Sequence, residues 1–171
     1  PEEITKMDNK KAIKNDDKTE VIIGPPESMS KSKKNTIDPE IMIQKYGADS
    51  VRWFILSDSP PEKDVQWSDQ GVISSSKFLQ KIWDLNIQII NLKESNDTKK
   101  DELDFEVQIN LFTKKISKSI ESFQFNVSIA LFYEIYRVLK KALDKKISKK
   151  ILVRNMICLL YTSPSPRDGL L

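Results

Sequence analysis

Apolar side chains follow two different rules along the chain. Over residues 68–160 they recur at helical spacing. Phe78, Ile82, Leu85, Ile89 and Leu92 step by four, three, four and three, which puts one apolar stripe on one helix face. Ile109, Phe112, Ile116, Ile120 and Phe123 repeat the pattern after the polar break "KESNDTKKDE". A third helix is expected from about Asn126, with Leu131, Ile135, Val138 and Ala142 on one side. A fourth opens around Ser148 and carries Ile151, Leu152, Met156, Leu159 and Leu160. None of these helices buries its stripe alone, so the four are expected to pack as an antiparallel bundle.

Before residue 68 the segments are shorter. Residues 1–20 are polar and charge-mixed, with turn material at Asn15-Asp16-Asp17. The β-branched run from Thr19 to Gly24, closed by Pro25-Pro26, reads as a strand and as the second arm of a hairpin turning near Asp16. Asp38-Pro39 marks a helix start: the carboxylate caps free amides, and proline fits the first position, where no N–H is needed. That helix runs to about Tyr46 and ends at Gly47. The next begins near Asp49 and is expected to turn Val51, Phe54 and Ile55 inward. "SDSPPEKDVQWSD" follows as a loop stiffened by Pro60-Pro61. Trp53, Trp67 and Trp83 stand in or beside apolar patterns and read as packing residues.

Composition narrows the chemistry. Net charge is only +3 over 171 residues, with acids interspersed among the lysines, so charge alone demands no nucleic-acid partner. The single cysteine, Cys158, sits in an apolar run and reads as a buried, inert thiol. An intrachain disulfide is excluded, which suits a reducing, cytoplasmic setting. No apolar run approaches the roughly 18 residues of a membrane span, and the first residues lack a signal-peptide core. Histidine is absent, so histidine triads and histidine metal sites are excluded within this chain. Catalysis here would rest on lysine, carboxylates, hydroxyls or backbone groups. Without an initiator methionine, and with a tail "YTSPSPRDGLL" that fits neither texture, the chain reads as a fragment whose residues 161–171 are atypical and foreign in character.

The densest chemistry lies in "ESMSKSKKN", residues 27–35, where lysines and serines crowd around Met29. A solvated basic loop is the plain reading. Its position, after a strand and before a capped helix, offers a sharper one. Such a loop can close over a nucleotide and set ammonium and hydroxyl groups against phosphate oxygens, with most benefit where charge develops during transfer.

Met29-Ser30-Lys31-Ser32 resembles the second signature of class I aminoacyl-tRNA synthetases, Lys-Met-Ser-Lys-Ser. The continuation "SKSKKNTIDPEIMIQKYGADSVRWFILSDSPPEKDVQWSDQGV" resembles the bacterial-type leucyl-tRNA synthetase family, through Pro60 to Asp64 and Trp67 to Asp69 in particular. "KFLQKIWDL" and "FQFNVSIALFYEI" are similar to that family's helical tRNA-binding domain. The resemblance spans roughly residues 19–160. It implies a mostly α chain: the end of a Rossmann-type catalytic core with its signature loop over 1–67, then an incomplete anticodon-binding-like bundle over 68–160. It also implies an ATP-dependent ligase that charges tRNA(Leu) with leucine, acting as a monomer with Mg2+ accompanying ATP and with no resident metal.

In this resemblance Ser28, Met29, Ser30, Lys31 and Ser32 face ATP, and Lys31 is the catalytic cation. The family's first lysine is Ser28 here, a loss that Lys33 or Lys34 would partly offset. Asp49 and Arg52 would pin the helices beneath the loop. Lys114, Lys115, Lys118, Lys140, Lys141, Lys145, Lys146, Lys149 and Lys150 would form a basic face for the tRNA backbone. Because the family's histidine-containing first signature has no counterpart, the chain alone is expected to be inactive. The alternative is a noncatalytic helical module that binds RNA or another protein.

Overall fold

The structure is a computed structural model, and it describes residues 4–8, 11–93, 99–145 and 147–162. The chain divides into two compact units, residues 1–37 and 38–171.

The first unit carries a three-stranded antiparallel sheet in the order β1 (Ile4–Asp8), β2 (Lys11–Lys14), β3 (Glu20–Ile22). The expected hairpin is present as β2–β3, with a bulge in the neighbouring β1–β2 pair between Lys6 and Asp8. Its turn is tied by the Lys14 amide donating to the Thr19 carbonyl and by the Thr19 amide donating to Asp17 Oδ1 at 3.0 Å. Hydrogen bonds from the Thr19 side chain and backbone hold the Asp17 carboxyl below its ordinary range. The pattern of β1 does not announce a strand, because "ITKMD" is short and mixes charge with apolar residues. Pairing to β2 makes it one.

The second unit is helical: α1 (Pro39–Tyr46), α2 (Ala48–Asp58), α3 (Asp69–Ile90), α4 (Lys99–Glu121), α5 (Phe125–Asp144) and α6 (Lys149–Thr162). Asp38 caps α1 by accepting from the Glu40 amide, and Ser68 caps α3 by accepting from the Gly71 amide. Gly47, at φ +83°, joins α1 to α2 in a backbone region that side chains disfavour. Asp49 and Arg52 form an exposed ion pair within α2, which pins one helix to itself.

The bundle differs in one respect from four consecutive helices. α5 is central and packs on α2, α3, α4 and α6, so α2 occupies a core position while α4 lies chiefly along α5. Trp53 is the reason. It is 2% exposed and packs against Phe78 of α3 and Phe132 and Tyr133 of α5. The expected inward set of α2 is corrected accordingly: Phe54 is buried, Val51 is half-buried, and Ile55 is 40% exposed.

The stripe of α3 holds from Phe78 to Ile89, with Val72 and Ser75 extending it, while Leu92 lies half-buried beyond the helix end. The stripe of α4 holds at Ile109 and Ile116 and then fails, since Ile120 and Phe123 are exposed and Phe112 is half-buried. Ser119 takes the inward place, pairing with Ser128 of α5 at 2.7 Å between hydroxyl oxygens. Phe123 instead ends the helix in the left-handed region, at φ +56°. On α5, Phe132 and Leu139 go deeper than the expected Leu131 and Val138. The side chains of Cys158, Leu159 and Leu160, and the tail from residue 163, lie outside the described residues.

A single glycine sets how closely α2 approaches α3. A Cβ on Gly71 would stand 2.4 Å from Phe54 Cε2, and that ring is buried edge-on against Trp67. Gly71→Ala is expected to destabilise the helical unit by about 1–3 kcal/mol, as overpacking does. Urea denaturation measures it, and an unchanged midpoint would mean the ring turns aside freely.

Candidate functional site

The lysine-serine loop is exposed but closed on itself. Asn35 bridges it: its Oδ1 accepts from the Ser30 amide at 2.8 Å and its Nδ2 donates to the Ser28 carbonyl at 3.3 Å. Within that brace, residues 31–34 form a turn in which the Lys34 amide donates to the Lys31 carbonyl. Lys34 sits at φ +51°. Ser30 Oγ accepts from the Lys33 amide at 3.3 Å and lies 3.2 Å from Ser32 Oγ. The Ser30 hydroxyl is therefore engaged in bracing.

The cations on this turn differ in their surroundings. Lys33 Nζ is 2.8 Å from Glu27 Oε2, so its charge is already met. Among the described residues no hydrogen bond or ion pair holds the ammonium of Lys31 or of Lys34, and both side chains are exposed. Ser28 and Met29 are also exposed on the limb leading into the turn. An unpaired ammonium on a braced turn can meet an incoming phosphate without first breaking an internal ion pair. Two residues of this arrangement, Asn35 and Glu27, carry no role in the sequence motif. An asparagine closing a serine-rich turn is the signal that could have marked the first of them.

The described lysines of the expected basic face fall in two groups along the length of the helical unit. Lys114, Lys115 and Lys118 lie on the half of α4 nearest its turn to α5. Lys140, Lys141, Lys145, Lys149 and Lys150 gather at the opposite end. Ser119 meets Ser128 at one end of this antiparallel pair and Asp101 meets Lys145 at the other. Lys118 and Lys140 are thus about 16 Å apart along the helix axis.

Acids of α4 occupy part of the far end. Asp101 pairs with Lys145 at 3.4 Å, Glu102 accepts from the Ser148 amide at the start of α6, and Glu106 binds Arg154. A groove of about 320 Å³ lies between α4 and the end of α5, lined in part by Asp101, Phe105, Lys141 and Lys145. The lysines of the expected basic face thus stand in two groups, with Lys140, Lys141 and Lys150 exposed in the second. Lys146 lies outside the described residues.

Trp53 and Trp67 pack as expected, the latter donating from Nε1 to Asp69 at 2.7 Å, whereas Trp83 is 46% exposed. Among the described residues no group of three or more His, Cys, Asp or Glu could hold a metal ion, and no helix is long and apolar enough to cross a membrane.

The family model described as tRNA synthetases class I (I, L, M and V) matches residues 23–68. The leucine–tRNA ligase of Ruegeria pomeroyi is 41% identical over 127 residues, covering 74% of this chain and 15% of the relative. That of Wolbachia pipientis is 38% identical over 149 residues, covering 85% of this chain and 18% of the relative. The chain thus spans about a sixth of the length of these curated relatives. Among solved structures, the Agrobacterium radiobacter LeuRS–tRNA–LeuAMS ternary complex superposes with a TM-score of 0.67 at 24% identity, over 79% of this chain and 19% of that one. The fold is shared.

Proposed function

The chain belongs to the class I tRNA synthetases of the leucine–tRNA ligase type, and we propose that it supplies the ATP-facing loop and a tRNA-binding bundle to leucine activation and transfer in the cytoplasm. Residues 1–67 serve as the end of a Rossmann-type catalytic core and residues 68–160 as an anticodon-binding-like bundle. The observation that carries this reading is the unpaired Lys31 ammonium on a turn braced by Asn35 and Ser30.

In the reaction, the leucine carboxylate attacks the α-phosphorus of ATP and the bond to pyrophosphate breaks, giving leucyl-adenylate. A ribose hydroxyl at the tRNA terminus then attacks the acyl carbon and releases AMP. In the first step negative charge shifts onto the departing pyrophosphate. An ammonium that meets that charge lowers the barrier without any proton transfer, which suits a chain lacking histidine. Lys31 is the residue for this role, with the exposed Ser32 hydroxyl, shared with Ser30 Oγ at 3.2 Å, beside it and Ser28, Met29 and Ser30 forming the limb that carries it. Since Lys33 is met by Glu27, Lys34 is the better placed of the two to offset the lysine replaced by Ser28. Mg2+ would enter on the ATP phosphates, as part of the substrate.

The tRNA(Leu) partner is tested on the chain itself by filter binding across a salt series. Binding is expected to weaken steeply with salt. Replacing Lys140, Lys141 and Lys150 by alanine together is expected to flatten the log–log slope by roughly 0.7–0.9 for each phosphate no longer neutralised. Absence of binding at low salt would favour a protein-interaction bundle, for which the exposed Leu103, Val107 and Leu111 of α4 would be the surface.

A further inference from the structure

We propose that Asn35 is the positioning residue for Lys31, an inference that rests on the functional reading above. The loop over 28–35 has no regular secondary structure of its own, yet Lys31 must reach one place when charge develops. A flexible loop would spend most of its time elsewhere and lose rate in proportion. Asn35 reduces that freedom with a single group, because a carboxamide carries an acceptor and a donor on the same carbon. Its Oδ1 takes the Ser30 amide and its Nδ2 reaches the Ser28 carbonyl, so two points two residues apart are fastened to a third beyond the turn.

Lys31 is the residue immediately after the fastened amide. Its backbone is set by the brace, while the ammonium, four methylenes away, stays free to move onto phosphate. Ser30 Oγ and the Glu27–Lys33 ion pair close the same turn from its other side. The two halves of the Asn35 side chain have separable roles. Alanine removes both bonds, whereas aspartate keeps the acceptor for Ser30 and loses the donor to Ser28. Asn35 belongs to the first of the two units, residues 1–37.

The test pairs structure with rate. In the 171-residue chain, hydrogen exchange at the Ser30 amide, followed by NMR, is expected to accelerate in Asn35→Ala and to stay slower in Asn35→Asp. In a ligase of full relative length carrying this segment, leucine-dependent ATP–pyrophosphate exchange is expected to lose about tenfold in kcat for Asn35→Ala, with KM for ATP within about twofold. Asn35→Asp is expected to fall between that variant and the parent. Parental kcat in Asn35→Ala beside a slow Lys31→Ala overturns the positioning role and leaves the functional reading standing. So does a rise in KM alone. Parental speed in Lys31→Ala overturns the functional reading, and this inference with it.

Discussion

Lys31→Ala, in a ligase of full relative length carrying this segment, is expected to slow leucine-dependent ATP–pyrophosphate exchange by on the order of 100-fold. That factor corresponds to about 2.7 kcal/mol of lost transition-state stabilisation, the size found when one well-placed electrostatic partner is removed. The loss should fall on kcat. The ammonium lies free on its turn in the structure, so it gives up no internal partner on meeting phosphate, and the charge it meets is greatest as pyrophosphate leaves. Lys33→Ala provides the contrast. Its ammonium already faces Glu27, and exposed pairs of this kind are worth about 1 kcal/mol or less, so the rate should change only slightly. Equal losses for the two lysines would mean that the loop acts through overall charge. An unchanged rate in Lys31→Ala would reduce the loop to a connection.

Much of the helical unit was legible because its signals are local. Asp38-Pro39 caps the helix it marks, and the α3 stripe from Phe78 to Ile89 needs only a period to be seen. The errors share a cause, which is that inward direction is decided by a neighbour. On α2 the period allows either Ile55 or Trp53 to face the core, and the aromatic cluster with Phe78 and Phe132 selects Trp53. On α4 the spacing continues to Ile120, but the end of the helix at Glu121 and the Ser119–Ser128 hydroxyl pair turn that residue outward. In the loop, residue types announced phosphate chemistry. The sequence could not tell which lysine stays free, because that depends on Glu27 reaching Lys33 and on Asn35 folding back to Ser28 and Ser30.

Phe132→Ala is expected to cost the helical unit about 3–5 kcal/mol, the range for deleting a large buried ring. Phe132 is 1% exposed on the central helix α5, its ring 5.8 Å from Trp53, so the deletion opens a space between α5 and α2. A domain stable by about 5–15 kcal/mol would lose a large share of its margin. Urea denaturation followed by far-UV circular dichroism measures the loss. Leu103→Ala, on the exposed face of α4, is the matched control and should move the midpoint little. The same experiment tests the position of α2. Near-UV signal from the Trp53 cluster and far-UV signal from the helices should vanish together, since Trp53 is part of the core. If the aromatic signal is lost first, at lower urea, α2 is only laid against the bundle, and the Phe132 ring has less to hold than its burial implies.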